Sequence, residues 1–399
     1  MKFDLVFEGG GAKGIVFVGA VQEFEAQGHT ADRLLGTSAG AITATLLAAG
    51  YTSEQMLAAL NEQEDGKPVF MGFMGVPGPF TEQEVAASAM MDFLRAIDLP
   101  LVPEFVERKL DAALVDLFSR SEKYRHLFSF VERGGWYIAD RFRSWLTEKL
   151  DTGEVAGKPR RFGSMTLAEF HAATGRELSL VAADTSGQGI LVLNHRTAPR
   201  CPVVWAARMS MSIPFVWQEV EWSPDWGTYR GRDVSGHMIV DGGVLSNFPI
   251  ELFVSGEPHV TNLMGEKRTK SVMGLLIDET LEVPNAPAPP KEGSPSTLGR
   301  LKTITRIKRL VDTITTAHDK EIIESLSDLV VRMPARGYGT TEFDMNEERR
   351  AALVAAGRQS MRKHLGRPAG LESVAPPQEA ARVQHEATRL ATRFLEMAE

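Results

Sequence analysis

The chain has 399 residues, of which 43% are hydrophobic and 24% are charged, and its formal net charge is -8. These fractions are those of a globular protein that can bury a sizeable core, and the acidic balance argues against a nucleic-acid binder, which usually carries a basic face. The single cysteine, Cys201, excludes an internal disulfide framework and a zinc cluster built on cysteines.

The apolar segments of the sequence are short. The N-terminal apolar run is shorter than that of a signal peptide and has no small-residue cleavage site. No uncharged apolar run approaches the ~20 residues that a membrane span needs. We therefore expect a cytoplasmic protein, with peripheral membrane association or export by a route other than Sec as the alternatives.

The first fifty residues predict two strand–turn–helix units. The pattern indicates a buried strand over 3–7, a helix over 15–27, a short strand that ends at Leu34-Leu35, and a small-residue helix over 41–49. Alternation of this kind is typical of an α/β fold whose central sheet is mostly parallel.

Residues 53–165 predict a largely helical insertion, with apolar residues at helical spacing over 104–118 and 139–150. Within it, segment 68–80 is rich in Gly, Pro, Met and Phe. Two interpretations of this segment stay open. It is either a loop packed in the core, or a flexible lid or wall for an acyl chain, since Met side chains adapt to varied shapes.

The second half of the chain returns to strand signals. Strands are predicted over 177–184, 189–194, 238–241, 272–278 and 328–333, and helices over 202–213, 298–327, 346–365 and 377–398. The Pro-rich, polar segment 284–297 cannot build a core and predicts a mobile loop. The helix after it begins with basic residues, which are typical of a solvated face and also suit a membrane surface. The last helix either docks on the domain or pairs with another chain.

A tight serine turn follows the second predicted strand. The segment Gly36-Thr37-Ser38-Ala39-Gly40 fits G-x-S-x-G, the nucleophile elbow. Its glycines are needed because a Cβ there would clash with the neighbouring strand and helix. The alternative is a plain Gly/Ser turn that caps a helix. The predicted strand before Ser38 and the apolar helix after it favour a nucleophile.

A glycine-rich loop lies between the first predicted strand and the first predicted helix. It comprises Gly9, Gly10, Gly11, Ala12, Lys13 and Gly14. The loop fits the dinucleotide fingerprint, and Asp32 lies near the distance expected for a ribose-binding acid, although we predict Asp32 in a polar turn before a strand. Convergent backbone N–H groups of small residues would also form an oxyanion hole. We favour this second interpretation because one site at the carboxyl edge of the sheet then explains both motifs.

The serine hydroxyl needs a base, because it is a weak nucleophile by itself. Asp241 ends a predicted strand, and Gly242 and Gly243 after it allow an abrupt turn. We predict Asp241 as the base. A Ser-His-Asp triad with His237 is a lesser alternative, because four residues of strand separate it from Asp241 by about 13 Å. Asp184, at the end of another strand, is a rival carboxylate.

In chain order, the glycine-rich loop, the serine turn and the Asp-Gly-Gly turn resemble the three motifs of the patatin-like phospholipase family. Segments Ser210–Phe215, Asn247-Phe248-Pro249 and 339–345 are also similar to family sequences. The resemblance implies a three-layer fold around a central, mostly parallel sheet. We expect this domain over 1–365, with a helical tail over 366–399.

The resemblance also implies a chemistry. It implies a Ser-Asp dyad without histidine, backbone amides of the glycine loop as oxyanion hole, acyl lipids as substrates, and neither a metal nor an organic cofactor. We therefore predict a serine acyl-ester hydrolase of the phospholipase A or lysophospholipase kind, with transient membrane-surface contact. Rival functions are a nucleotide-binding oxidoreductase that uses the glycine loop, and a catalytically silent binding or regulatory module of the same fold.

Overall fold

A central sheet of eight strands organises the molecule. The structure is a computed structural model that describes residues 1–96, 104–269, 271–288, 323–366 and 377–396. The strands of the sheet are β1 (Lys2–Phe7), β2 (Thr30–Thr37), β3 (Glu177–Asp184), β4 (Gly189–Leu193), β5 (Val220–Glu221), β6 (Met238–Asp241), β7 (Val272–Glu282) and β8 (Val330–Arg336).

Five of these strands run parallel, in the order β3-β2-β1-β7-β8. The other three are antiparallel to their partners. Strand β4 pairs with one side of β3, and β6 pairs with the opposite side of β3 beyond the end of β2. The prediction of an α/β fold with a mostly parallel sheet is confirmed.

Helices cover both faces of the sheet and fill the insertion. They are α1 (Val16–Ala26), α2 (Ala39–Ala48), α3 (Ser53–Leu60), α4 (Glu82–Ala86), α5 (Ala89–Ala96), α6 (Glu104–Arg120), α7 (Glu122–Glu132), α8 (Asp140–Asp151), α9 (Leu167–Thr174), α10 (Val203–Ser210), α11 (Glu251–Val254), α12 (Pro258–Met264), α13 (Glu347–Leu365) and α14 (Pro377–Glu396). Short 3-10 helices cover Gly11–Ile15, Val69–Phe73, Pro224–Trp226, Gly242–Val244 and Ser327–Leu329.

The sheet is the middle of three layers, because successive residues of its strands enter different cores. Leu5 and Phe7 of β1 belong to the larger core, to which α1, α2 and α13 contribute. Val6 belongs to the smaller core, together with residues of α11, α12 and α14. Side chains of a strand alternate between its two faces, so the two cores lie on opposite sides of the sheet.

Helices α1 and α13 cross in very close contact through two glycines. A Cβ on Gly19 would lie 1.8 Å from the carbonyl oxygen of Val354, and a Cβ on Gly357 would lie 2.0 Å from that of Val16. Neither position can hold a larger residue without moving the helices apart. This crossing fixes the first turn of α13 beside the start of α1.

The last helix docks on the domain. Its side chains in the smaller core are Ala387, Leu390, Ala391 and Phe394, where they join residues of α11 such as Phe253. The sequence left open whether this helix packs on its own domain or on a partner, and the described residues place it on the domain.

The insertion has a small core of its own. Val85, Met91, Phe118 and Phe128 form a buried cluster among α4 to α7, apart from the two cores of the sheet. The predicted helices over 104–118 and 139–150 correspond to α6 and α8.

The second strand is longer than its sequence suggests. We expected a polar turn around Asp32, but Asp32 and Arg33 lie inside β2, so that expectation is wrong. The reason is a buried ion pair: Nη2 and Nε of Arg33 donate to Asp4 of the neighbouring strand at 2.5 and 2.9 Å. The polar residues of this segment therefore lie in a strand, where Arg33 is paired with Asp4, and not in a turn.

Two predicted segments lie largely outside the described residues. The Pro-rich loop over 284–297 is described only to residue 288, and the basic helix over 298–327 only from residue 323. In the described part of the chain, none of the helices combines the length and the apolar character that crossing a bilayer demands.

Candidate active site

Two strands bring Ser38 and Asp241 together by meeting end to end. Thr37, the last residue of β2, pairs with Val181 of β3, and Asp241, the last residue of β6, pairs with Ala182. Strand β4 occupies the other side of both β3 residues. The ends of β2 and β6 thus converge on one edge of β3 from opposite directions.

Ser38 adopts a strained backbone conformation between β2 and α2. Its φ is 54° and its ψ is -121°, a region that non-glycine residues rarely occupy and that costs about 1–3 kcal/mol. Gly40 permits the turn, because a Cβ there would lie 2.3 Å from the carbonyl oxygen of Phe7. A Cβ on Gly36 would likewise meet Gly40. Both glycines of the G-x-S-x-G segment thus lie where a side chain would collide with the backbone.

A second serine holds the elbow in place. The backbone N–H of Ser38 donates to Oγ of Ser210 at 3.0 Å, and this hydroxyl donates to the carbonyl oxygen of Val181 at 2.6 Å. Ser210 is fully buried at the end of α10. It therefore links the turn directly to the strand on which β2 and β6 meet.

Asp241 is a buried carboxyl with one oxygen available. Its Oδ1 accepts a hydrogen bond from the Gly243 N–H at 2.8 Å, while its Oδ2 is buried without an aligned hydrogen bond to any described residue. Burial raises the pKa of Asp241 from 3.8 to about 7, against the lowering effects of the Ser38 hydroxyl and the Gly243 amide. The Ser38 hydroxyl thus lies near this carboxyl but is not aligned with it, as is common in catalytic pairs without substrate.

The glycine loop has two backbone N–H groups that are free of acceptors in the described part of the chain. The amides of Gly9 and Ala12 are occupied, by the carbonyl oxygens of Asn247 at 3.3 Å and Thr340 at 2.9 Å. The amides of Gly10 and Gly11 have no acceptor among the described residues. Ala12, which we predicted in the oxyanion hole with them, is therefore engaged in holding the loop.

The shape of the loop depends on two contacts across the molecule. Gly11 has a φ of 55°, and a Cβ there would lie 2.1 Å from the carbonyl oxygen of Thr340. On the other side, Nδ2 of Asn247 donates to the carbonyl oxygen of Gly9 at 3.0 Å and to Glu8 at 3.2 Å. The loop is thus held from one side by the segment between β8 and α13, which contains Thr340, and from the other side by the segment after β6, which contains Asn247.

The remaining predicted residues take structural positions around the site. Lys13 is buried and forms an ion pair with Glu279 of β7, so its charge is partly balanced. A Cβ on Gly14 would lie 2.6 Å from that of Ala39, and one on Gly242 would lie 2.6 Å from the carbonyl oxygen of Val181. Both glycines therefore permit close packing around the two strand ends.

The histidine alternative is not supported by the geometry. Nδ1 of His237 lies 2.7 Å from Oδ2 of Asp184, and Oδ1 of Asp184 accepts from the N–H groups of Ser186 and Gly187. These two predicted alternatives are thus partners of each other at a hairpin turn. Neither is paired with Ser38.

An apolar cavity, part of it open to solvent, lies over Ser38. Its lining includes Gly11, Ser38 and a set of large apolar side chains, among them Ile42, Phe70, Phe73, Met211, Trp217 and Phe343. Phe70 and Phe73 belong to segment 68–80, so part of that segment forms a pocket wall while Phe73 also packs in the core.

Residues just before α13 and in its first turn form another part of the cavity lining. Glu342, Phe343, Met345 and Arg350 line the cavity, and the crossing of α1 and α13 holds them there. The sequence offered one signal for the first part, the similarity of 339–345 to family sequences. For Ser210 and Asn247 the signal was likewise the similarity of their segments to family sequences, whereas Arg350 had none.

One cluster outside the cavity has the composition of a metal site. His171, Glu177 and His195 have ligand atoms within 4.8 Å of one another. The Glu177 carboxylate is already bound by Arg196 at 2.5 Å and Arg268 at 2.8 Å. The two imidazole rings are stacked face to face, which does not aim both at one ion. The cluster fits an ion-pair network better than a metal centre.

Comparisons with known proteins show the family of the chain. The family model described as patatin-like phospholipase matches residues 5–254. The chain is 27% identical over 366 residues to the uncharacterized protein YqhO of Bacillus subtilis (strain 168), covering 90% of this chain and 96% of YqhO.

Two solved structures are also similar. VipD from Legionella pneumophila is 16% identical, with a TM-score of 0.44, over 91% of this chain and 66% of VipD. ExoU, in its complex with SpcU from Pseudomonas aeruginosa, is 18% identical, with a TM-score of 0.35, over 99% of this chain and 59% of the solved chain. The chain thus spans less than two thirds of the length of these two solved chains.

Proposed function

Because this chain belongs to the patatin-like phospholipase family, we propose that it is a lipid acyl hydrolase that uses Ser38 as nucleophile and Asp241 as base. One observation carries the proposal: the strand ends that hold these two residues meet on β3, directly under an apolar cavity. A nucleophile, a base and an apolar surface for the acyl chain are what ester hydrolysis of a lipid requires.

The first half of the reaction forms an acyl-enzyme. Oδ2 of Asp241 accepts the proton of the Ser38 hydroxyl as Oγ attacks the ester carbonyl carbon. The carbonyl oxygen becomes an oxyanion, which the N–H groups of Gly10 and Gly11 stabilise. The tetrahedral intermediate collapses, the bond to the alcohol oxygen breaks, and Asp241 returns its proton to that oxygen.

The second half repeats these steps with water. Asp241 takes a proton from a water molecule as its oxygen attacks the acyl carbon. The same two amides stabilise the second oxyanion. Collapse breaks the bond to Ser38 Oγ, which recovers the proton from Asp241, and the fatty acid leaves. Protons and charge therefore balance without a further group.

The raised pKa of Asp241 supports its assignment as base. A general base is most effective when its pKa is near the working pH, and burial raises the pKa of this carboxyl to about 7. A solvent-exposed aspartate, with a pKa near 3.9, would be a much weaker base. Among the described residues no histidine is paired with either Ser38 or Asp241, so the carboxyl acts directly on the hydroxyl.

Covalent labelling of variants tests the dyad. A fluorophosphonate should label the wild type, fail to label Ser38→Ala, and label Asp241→Asn much more slowly. Fatty-acid release from mixed phospholipid vesicles should fall to background in both variants. Asp184→Asn is the matched control, because it alters another buried carboxyl at a strand end and should keep both activities.

Two results would overturn the proposal. Labelling that persists in Ser38→Ala would remove Ser38 as the nucleophile. An unlabelled wild type that releases no fatty acid would favour the oxidoreductase or the silent binding module, and absorbance of a bound nucleotide in the purified protein would separate those two.

A further inference from the structure

Arg350 is a buried cation that makes no ion pair with any residue in the described ranges. It lies in the first turn of α13 and is only 8% exposed. Its Nε and Nη1 atoms are buried, and neither makes a hydrogen bond within the described chain. Arg350 lines the cavity over Ser38 and, on its other side, a groove shared with Leu57 and Asn61.

The neighbouring Arg349, by contrast, has several hydrogen-bond partners. Arg349 binds Glu342 through Nε at 2.6 Å and Nη2 at 3.1 Å, donates to the carbonyl oxygen of Gly337 at 2.8 Å, and stacks over Tyr338. Glu342 is the acidic residue among those that line the cavity. Because Arg349 binds Glu342, no acidic residue among those described at the cavity wall is paired with Arg350.

An uncompensated charge in a buried position is unfavourable, and buried charges in folded proteins are normally paired. An anion that enters the cavity would restore two or more charge-assisted hydrogen bonds to Nε and Nη1, and planar guanidinium groups suit such bidentate contacts with oxyanions. The apolar remainder of the wall requires that the same ligand carry a hydrocarbon chain.

We propose that Arg350 binds the oxyanion of the acyl ligand and so selects anionic lipids over neutral ones. The proposal rests on the lipid hydrolase function stated above. The oxyanion has two sources in this reaction: the phosphate of a phospholipid substrate, or the carboxylate of the fatty acid that is released. The first makes Arg350 a determinant of substrate choice, and the second makes it a site of product retention.

Matched pairs of ligands distinguish these sources. The substrates are lauroyl lysophosphatidic acid and monolaurin, which share an acyl ester and differ by the phosphate. The inhibitors are laurate and dodecanol, which share a chain and differ by the carboxylate. In Arg350→Met, a phosphate site predicts a fall of about 30-fold or more in kcat/KM for the phospholipid with monolaurin nearly unaffected. A carboxylate site predicts instead a similar rise in the inhibition constant of laurate alone.

Two further variants control for structure. Arg350→Lys keeps the charge and should recover part of the lost discrimination. Arg362→Met removes an arginine of the same helix whose partner is Glu23. It should change neither the preference between the two substrates nor the relative inhibition by laurate and dodecanol. Since Arg350 makes no ion pair with the described residues, Arg350→Met should be no less stable than wild type in urea unfolding without ligand. Equal losses on all ligands, or no change on any, would overturn the proposal.

A binding measurement separates this proposal from the proposed function. Ser38→Ala protein should bind decyl phosphate or decanoate more tightly than decanol in calorimetry, and the preference should disappear when Arg350→Met is added. This holds whether or not the protein turns over esters. Wild type that hydrolyses no acyl ester but keeps the preference would refute the hydrolase alone, whereas hydrolysis without any such preference would refute the anion site alone.

Discussion

Thr37 and Asp241 end two strands that run in opposite directions, and they pair with consecutive residues of β3. Because Ser38 follows Thr37 directly, the register of both strands sets the distance between nucleophile and base. A slip of one residue along a strand moves its end by about 3.3 Å, which exceeds the tolerance of a hydrogen bond. The proposed dyad therefore depends on sheet pairing, and the predictions below test its parts separately.

The activity should depend on pH through Asp241. Only the ionised carboxyl can accept the serine proton, and burial raises the pKa of Asp241 to about 7. We expect kcat/KM for a neutral ester to rise with pH and to level off above an apparent pKa of about 7. The rise should persist in Asp184→Asn. A profile that is flat from about pH 5 to about pH 9 would contradict this assignment of the base.

The same carboxyl should lower the stability of the fold at neutral pH. Its pKa is higher in the folded state than the ordinary 3.8, so ionisation opposes folding. This penalty is absent below pH 3.8, grows as the pH rises to about 7, and is constant above. Asp241→Asn should therefore match wild type near pH 3.8 and be more stable at alkaline pH, because its side-chain oxygen can still accept from Gly243. Urea unfolding at the two pH values measures this, and an equal difference at both would count against it.

Relief of strain at Ser38 should be measurable apart from activity. Its φ of 54° and ψ of -121° are easy for glycine and costly for alanine. Both Ser38→Gly and Ser38→Ala should be inactive, but the glycine variant should be about 1 kcal/mol more stable in urea unfolding. The exposed Ser235 has no positive φ, so there we expect the alanine variant to be more stable than the glycine variant. The same order at both positions would refute the role of strain.

The close crossing of α1 and α13 should not tolerate a methyl group. In Gly357→Ala the new Cβ would lie 2.0 Å from the carbonyl oxygen of Val16, and separating packed helices typically costs about 1–3 kcal/mol. We expect a lower free energy of unfolding and weaker hydrolysis of long-chain esters, since α13 carries part of the cavity wall. Gly78→Ala, where a Cβ meets nothing within 4 Å, is the control and should be neutral.

The cavity should set the preferred acyl length. Ile42 of α2 lines it close to Ser38, and a larger side chain there would shorten the space for the chain. Ile42→Trp should reduce kcat/KM for a palmitoyl ester by roughly 10-fold or more while a butyryl ester is hydrolysed at nearly the wild-type rate. A uniform loss on both esters, with an unchanged melting temperature, would show that the chain does not pass Ile42.

Local patterns predicted the elements that carry the site. The apolar strand over 177–184 corresponds residue for residue to β3, and the turns around Ser38 and Asp241 follow strands as expected from their glycines. These features depend on neighbours in sequence, which is why periodicity and turn residues report them. The polar residues of β2 led to the wrong prediction of a turn around Asp32, because the ion-pair partner of Arg33 is Asp4, on another strand.

Long-range contacts were beyond the reach of such patterns. Nothing near Thr340 indicates that its carbonyl oxygen would bind the amide of Ala12, and nothing near Arg350 indicates a cavity. The same holds for the convergence of β2 and β6, since antiparallel pairing of β6 with β3 follows from the path of the whole chain. The sequence therefore led to the proposed nucleophile and base but not to the cavity walls around them.

The crossing of Gly19 with the helix of Gly357 also has a consequence for the timing of synthesis. A chain folds from its N-terminus as it leaves the ribosome, and the residues proposed as nucleophile and base, Ser38 and Asp241, emerge well before Phe343 and Arg350. Until α13 arrives, the nascent protein holds both reactive groups beside an unroofed cavity. The complete cavity thus forms only after α13 has been made, so that a product truncated before α13 would carry the proposed nucleophile and base without this part of the cavity wall.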